Sequence, residues 1–207
     1  MNDRLEHYCM THTQAESPCL QALREYTAAH CHSPHMLSDR LVGRCLQFYV
    51  RLLAATQVVD LGTYTGYSAL SLAEALPPAG KVITCDKDPR VLEIARSFFN
   101  QSPAGSKINL FEGEVSACLN NLTTPVDLMF IDADKMQTAT YYEQALPHIR
   151  PGGMIIIDDV LWRGEVLNPI DKRAILLDQF NKSILKDTRV TNMLLPIRHG
   201  LNIIVKL

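Results

Sequence analysis

The chain has 207 residues, 47% hydrophobic and 20% charged, and its 20 Lys+Arg against 22 Asp+Glu leave a formal net charge of −2. That apolar share excludes a globally disordered or fibrous chain, and the missing basic surplus argues against a dedicated nucleic-acid binder. The length suits one domain, no apolar run is long enough to span a bilayer, and the start MNDRLEHYCM lacks the apolar core of a secretory signal. The six cysteines, Cys9, Cys19, Cys31, Cys45, Cys85 and Cys118, form no C-x-x-C pair. Reduced thiols in a cytoplasmic protein are the expectation.

Before residue 57, one or two helices are predicted. Ser17-Pro18 reads as a helix start, and Ser38 as the cap of a helix carrying Leu41, Val42, Cys45, Leu46, Tyr49, Leu52 and Leu53. His30-Cys31-His32-Ser33-Pro34-His35 matches no structural zinc spacing and reads as a helix end. From residue 57 onward, β-rich runs alternate with helical stretches. Strands are predicted over 57–61, 81–86, 107–111, 126–132 and 154–158, the last entered through a turn at Pro151-Gly152-Gly153. Helices are predicted over 69–76, from the cap and proline Asp88-Pro89, and near 114–121 and 138–149. Near-continuous apolar runs such as LMFI and MIII fit parallel strands buried on both faces. The stretch 171–186 reads as a further helix, and 190–195 and 202–207 bracket residues 196–200 as an antiparallel pair. The expectation is one α/β domain over 1–207, with a helical extension (1–56) and an α/β core (57–207).

Three constellations could carry chemistry. In Val58-Val59-Asp60-Leu61-Gly62-Thr63-Tyr64-Thr65-Gly66-Tyr67-Ser68 a strand ends, glycines allow a tight turn, and a helix begins. The spacing G-x-x-x-G lacks the dinucleotide fingerprint, and Asp60 suits a cationic or hydroxyl-bearing headgroup better than a phosphate. A purely structural strand–turn–helix is the alternative. Asp86, at the next strand end, could accept two ribose hydroxyls or serve as a helix cap beside Asp88. The third constellation joins Asp132-Ala133-Asp134-Lys135 to Asp158-Asp159. Carboxylates at neighbouring strand ends suit a hard divalent cation such as Mg, Mn or Ca, or else cap the strands. Successive strand side chains point to opposite faces, so Asp158 and Asp159 can reach one ion only where the chain leaves the strand. Trp162 is either a core residue or an aromatic wall over a bound ring.

With these residues assembled, the chain resembles the small cation-dependent O-methyltransferases of the caffeoyl-CoA and catechol O-methyltransferase type, which use S-adenosylmethionine. The resemblance runs from about Met36 to the C-terminus. It rests on Asp60 to Ser68, Phe130-Ile131-Asp132-Ala133-Asp134-Lys135, Pro151-Gly152-Gly153 and Asp158-Asp159-Val160-Leu161-Trp162-Arg163-Gly164. It implies a Rossmann-like class I methyltransferase fold: a mostly parallel seven-stranded sheet with a C-terminal antiparallel pair and helices on both faces. It further implies that Ser38, Asp60, Gly62, Thr63, Tyr64, Gly66 and Ser68 line the cofactor's site. Asp86 would hold the ribose, Val115 would lie by the adenine, and Asp132, Asp134 and Tyr141 would complete that pocket. Asp132, Asp158 and Asp159 would hold the metal, and Lys135 with Asp132 would act on the acceptor, flanked by Trp162 and Arg163. An acid at 159 departs from the asparagine usual in the family.

The activity expected from this resemblance is methylation of one hydroxyl of a small catechol-like or vicinal-diol aromatic, by a cytoplasmic homodimer with no nucleic-acid or membrane partner. A non-catalytic S-adenosylmethionine-binding protein and an NAD(P)-dependent oxidoreductase are the competing readings. The intact Asp132, Lys135 and Asp158 set disfavours the first, and the missing G-x-G-x-x-G the second.

Overall fold

The computed structural model describes residues 3–207. Within them, α1 (Asp3–Thr11), α2 (Pro18–His30) and α3 (Arg40–Leu52) precede the first strand. Helix α2 begins as expected, the Ser17 side chain accepting from the Leu20 N–H with Pro18 at the first helical position. His30 is its last residue and Cys31 its C-cap. Helix α3 is capped by Asp39 rather than Ser38, the Asp39 carboxylate accepting from the Val42 N–H at 2.9 Å. A carboxylate complements the positive end of the helix more strongly than a hydroxyl does.

The core runs β1 (Gln57–Leu61), α4 (Tyr67–Ala75), β2 (Lys81–Asp86), α5 (Pro89–Gln101), β3 (Ile108–Glu112), α6 (Val115–Asn120), β4 (Val126–Ile131), α7 (Thr138–Ala145), β5 (Ile149–Ile157), α8 (Lys172–Ile184), β6 (Val190–Leu195) and β7 (Leu201–Lys206). Sheet order is β3-β2-β1-β4-β5-β7-β6, parallel except for β7, which runs antiparallel to both neighbours. Strands β1, β2 and β6 have the expected bounds, and β3, β4 and β7 shift by a residue at one or both ends. Strand β5 differs more: it starts at Ile149 rather than 154, and Pro151-Gly152-Gly153 lies inside it. Val126 pairs with Ile149 and Leu128 with Met154, so the chain bulges opposite Asp127. Gly152 supplies the positive φ of +73°. Asp127 ties the bulge down, accepting from Arg150 Nε at 2.6 Å and from the Thr56 and Gln57 N–H groups.

The apolar runs divide between the faces with period two. Leu128, Phe130, Met154 and Ile156 join one core with α2, α3, α4 and α5; Met129, Ile131, Ile155 and Ile157 join another with α6, α7 and α8. Leu20, Leu23, Val42 and Leu46 of the N-terminal helices belong to the first of these, each contributing about 1.5–3 kcal/mol on burial. All six cysteines are free, with Cys85 and Cys118 buried. Among the described residues no helix is long and apolar enough to cross a membrane. The strand order reverses between β1 and β4, leaving a crevice at their carboxyl ends.

Candidate active site

The turn after β1 runs across that crevice. Gly62 has φ +112°, and a Cβ there would lie 2.3 Å from the Asp132 carbonyl oxygen, so only glycine lets the two strand ends meet. The Gly62 and Thr63 N–H groups donate to the Cys85 carbonyl, Asp132 N–H to that of Leu61, and Asp158 N–H to that of Ile131. The ends of β2, β1, β4 and β5 are thereby stitched side by side.

Above them lies a cavity of about 610 Å³, a size common for small-molecule sites. Ser38, Gly62, Thr63, Tyr64, Ser68 and Asp86 line it, as do Val115, Asp134 and Tyr141. So do Asp132, Lys135, Asp159, Trp162 and Arg163. Asp60 and Asp158 lie behind the wall, fully buried, and Gly66 caps α4 in a left-handed conformation backed by the Phe99 ring.

Asp60 acts through its neighbours. Its Oδ2 accepts from the hydroxyls of Thr84 at 2.6 Å and Ser68 at 3.2 Å, and Thr84 in turn meets Thr63 Oγ1 at 2.6 Å. Its Oδ1 has no partner. Burial pushes its carboxyl up to about 7, the two hydroxyls opposing and Asp132 and Asp86 adding to the rise. Asp86 is held differently: Tyr64 N–H donates to Oδ2 at 2.9 Å, Lys87 N–H and Asp88 N–H to Oδ1. Asp88, not Asp86, caps α5, which leaves the Asp86 carboxylate facing the cavity.

The acids of β4 and β5 gather around a lysine. Lys135 Nζ donates to Asp132 Oδ1 at 2.5 Å and to the Asp158 carbonyl at 3.2 Å, and lies 3.4 Å from Asp159 Oδ2. Burial alone would favour the neutral amine, but Asp132, Asp159 and Asp158 outweigh it and hold the ammonium above its ordinary range. The Asp158 carboxyl is raised well above its own range by burial and by Asp132 and Asp159. Asp159 takes φ +62°, so the chain leaves the strand there and the Asp159 carboxylate turns toward Lys135, while Asp158 meets that lysine through its carbonyl. Among the described residues no three side chains converge as metal ligands, and the Lys135 ammonium pairs with both Asp132 and Asp159. The donor chemistry nonetheless fits a hard divalent cation. Asp158 Oδ2 and Asp159 Oδ1 are buried carboxylate oxygens without a hydrogen-bond partner.

Further lining residues escape a reading of the sequence. Arg198 and His199 sit in the β6–β7 turn, which reads only as a turn, yet Val160 and Leu161 N–H groups donate to Gly200 and His199 carbonyls and dock that turn on the loop after β5. Arg198 Nη2 donates to the His35 carbonyl at 2.6 Å, and Nη1 lies 4.0 Å from Asp158 Oδ2. Tyr64 OH donates to the Ser33 carbonyl at 3.1 Å, so the segment before Ser38 is tethered to the cavity from two sides. Burial lowers the His199 imidazole, with Arg198 and Arg163 pushing the same way against Asp159. Tyr64, Asp159, Trp162, Arg163 and Arg198 are all non-glycine residues with positive φ, and all line the cavity. Each such conformation costs roughly 1–3 kcal/mol, the pattern of strain kept at a working site.

The sequence profile of the O-methyltransferase family matches residues 10–207. The chain belongs to that family. Catechol O-methyltransferase domain-containing protein 1 of Mus musculus is 36% identical to this O-methyltransferase, over 98% of this chain and 80% of the relative. The probable caffeoyl-CoA O-methyltransferase 2 of Dictyostelium discoideum is 32% identical over 100% and 93%. Among solved structures, the O-methyltransferase from Bacillus cereus in complex with SAH superposes with TM-score 0.89 at 27% identity, over 99% and 97% of the two chains. The SAH-bound methyltransferase of Podospora anserina gives 0.90 at 25% identity, over 99% and 94%. The fold is that of class I O-methyltransferases, and the family activity is methyl transfer to oxygen.

Proposed function

We propose that this O-methyltransferase moves the methyl group of S-adenosylmethionine to one hydroxyl of a small catechol-like or vicinal-diol aromatic, with a divalent cation held by Asp132, Asp158 and Asp159. One observation carries the reading. The glycine turn and the Asp132–Lys135 cluster meet within a single cavity, joined through the Leu61–Asp132 backbone hydrogen bond of 2.8 Å. In this reading Asp86 receives the ribose hydroxyls, Val115 lies against the adenine, and the hydroxyls set by Asp60 position the methionine portion. Ser38, Tyr64, Asp134 and Tyr141 close that pocket.

S-adenosylmethionine supplies an electrophilic methyl on sulfur. A divalent cation, once bound, supplies acidification and orientation of the hydroxyls. The chain's own residues do the rest. A phenol of pKa about 10 is a poor nucleophile at neutral pH, so its proton must be taken as the C–O bond forms and the C–S bond breaks. Lys135 Nζ can receive that proton only as the neutral amine, a form its carboxylates disfavour until their charge is taken up elsewhere. The acid at 159 adds one more negative charge to be met, favouring a divalent partner. Trp162 walls the aromatic ring, and fixed placement of the oxygen in line with the methyl supplies much of the acceleration. Two copies pair as a homodimer in the cytoplasm, and neither nucleic acid nor membrane takes part.

Incubation with protocatechuate and labelled S-adenosylmethionine, with EDTA and after re-addition of Mg, Mn or Ca, tests the reading. Turnover should fall at least about a hundredfold in EDTA and return with metal, in keeping with the scale of acid–base and metal contributions. Undiminished turnover in EDTA removes the cation from the reaction.

A further inference from the structure

The cavity is not uniformly acidic. Beside the Asp132 and Asp159 carboxylates, which share the Lys135 ammonium, Arg163, Arg173 and Arg198 line the cavity with Trp162. Glu165 lines the cavity as well. Arg173 holds its guanidinium 5.8 Å from the Trp162 ring centroid. Among the described residues neither Arg163 nor Arg173 forms an ion pair with a carboxylate. Arg198 is only 13% exposed, and its nearest carboxylate oxygen, at 4.0 Å, is too far for a hydrogen bond. Arg163 and Arg173 thus stand beside the single tryptophan without a carboxylate partner, while Arg198 faces Asp158 beyond hydrogen-bond reach. Trp162, Arg163 and Arg198 are moreover held in the left-handed region, at φ +43°, +55° and +52°. A backbone that strains to hold an aromatic ring and two guanidinium groups at one wall is built to present them.

From this arrangement we infer that the methyl acceptor is an aromatic bearing an oxyanion, received by Arg163, Arg173 and Arg198 while Trp162 covers the ring. The inference rests on the methyl-transfer reading above and names the acceptor's charge. A guanidinium is a planar fork of N–H donors that matches carboxylate and phosphate oxygens two at a time. A neutral catechol leaves that fork unpaired, whereas an acid group set away from the methylated hydroxyl fills it. The same positive wall would draw anionic acceptors toward the cavity at low salt.

The test compares protocatechuate, its phosphonate counterpart and its neutral amide as acceptors of the metal-supplemented protein. In parallel it measures direct binding of each to the protein saturated with S-adenosylhomocysteine. The expected result is a kcat/KM for the acids roughly tenfold or more above the amide, expressed in KM and eroded by salt. The acid-over-amide ratio should collapse in Arg163→Gln and Arg173→Gln, whose exposed side chains leave folding untouched, and should survive in Arg198→Lys better than in Arg198→Gln. A better phosphonate assigns a phosphate group, a better benzoate a carboxylate. Equal use of acid and amide overturns the inference and leaves methyl transfer standing. Arginine-dependent binding of the acids without turnover upholds the oxyanion site and sinks the transfer reading. Neither binding nor turnover with any of the three sinks both.

Discussion

Asp60 is a buried acid whose nearest partners are two hydroxyls and no cation. An unfolded aspartate titrates near 3.9, while burial brings this one up to about 7 in the native protein. Between those values the native state keeps a proton that the unfolded chain has released, so stability falls as pH rises from about 4 to about 7 and levels off above. Asp60→Asn has no such titration and can still pair with Thr84 and Ser68. Its stability relative to the parent should therefore climb with pH across that window, measured by urea unfolding at several pH values between about 5 and 8. A difference that stays flat means Asp60 is ionised throughout. The role itself was half legible. The sequence placed an acid before the glycines, but its position behind the wall depends on Thr84 of the neighbouring strand, which no local pattern reveals. The cap of α3 shows the same limit: Ser38 and Asp39 are both good caps, and only the fold sends one to the helix and the other to the cavity.

At the scale of elements, the site is a meeting of strand ends, and Gly62 is where β1 and β4 come closest. Gly62→Ala forces a Cβ to within 2.3 Å of the Asp132 carbonyl at a φ of +112°. Strain and clash together should cost on the order of 2–4 kcal/mol, lowering Tm by roughly 5–15 °C at this chain length, with weaker S-adenosylhomocysteine binding. Gly164 is the internal comparison: its φ is +87°, but a Cβ there meets nothing within 4 Å. Gly164→Ala should cost only the backbone strain, roughly 1 kcal/mol. Equal losses for the two variants in thermal melts would show that the close approach to Asp132 carries no weight. Strands β1 and β2 could be bounded from sequence because apolar runs stop at polar residues and glycines. The start of β5 could not, since a bulge through Pro151-Gly152-Gly153 breaks the pattern that marks a strand. Arg198 was hidden for a different reason. Its turn reaches the loop after β5 only because β7 inserts between β5 and β6, a pairing of distant segments.

The whole molecule leaves apolar surface where a monomer has little use for it. Helix α3 turns Val42, Leu46 and Val50 into the core yet leaves Phe48 63% and Leu52 77% exposed. Helix α1, which packs against α3, exposes Leu5 and Tyr8. Single exposed hydrophobes are ordinary, but several on two adjoining helices suit burial against a second copy. A specific interface needs about 800 Å² from each partner, more than two side chains supply, so a pairing centred on α3 must extend onto its neighbours. A twofold contact would place each Phe48 against its counterpart's surface and let one substitution act twice. Replacing Phe48 and Leu52 together with glutamate should convert a dimer into a monomer by sedimentation velocity, while the far-ultraviolet circular dichroism is unchanged because neither side chain sits in the core. The parent's Tm should also rise with protein concentration and the variant's should not, since only an associating native state is stabilised by mass action. A parent that sediments as a monomer at tens of micromolar, with a concentration-independent Tm, would remove the homodimer and leave the exposed face of α3 without a partner of its own kind.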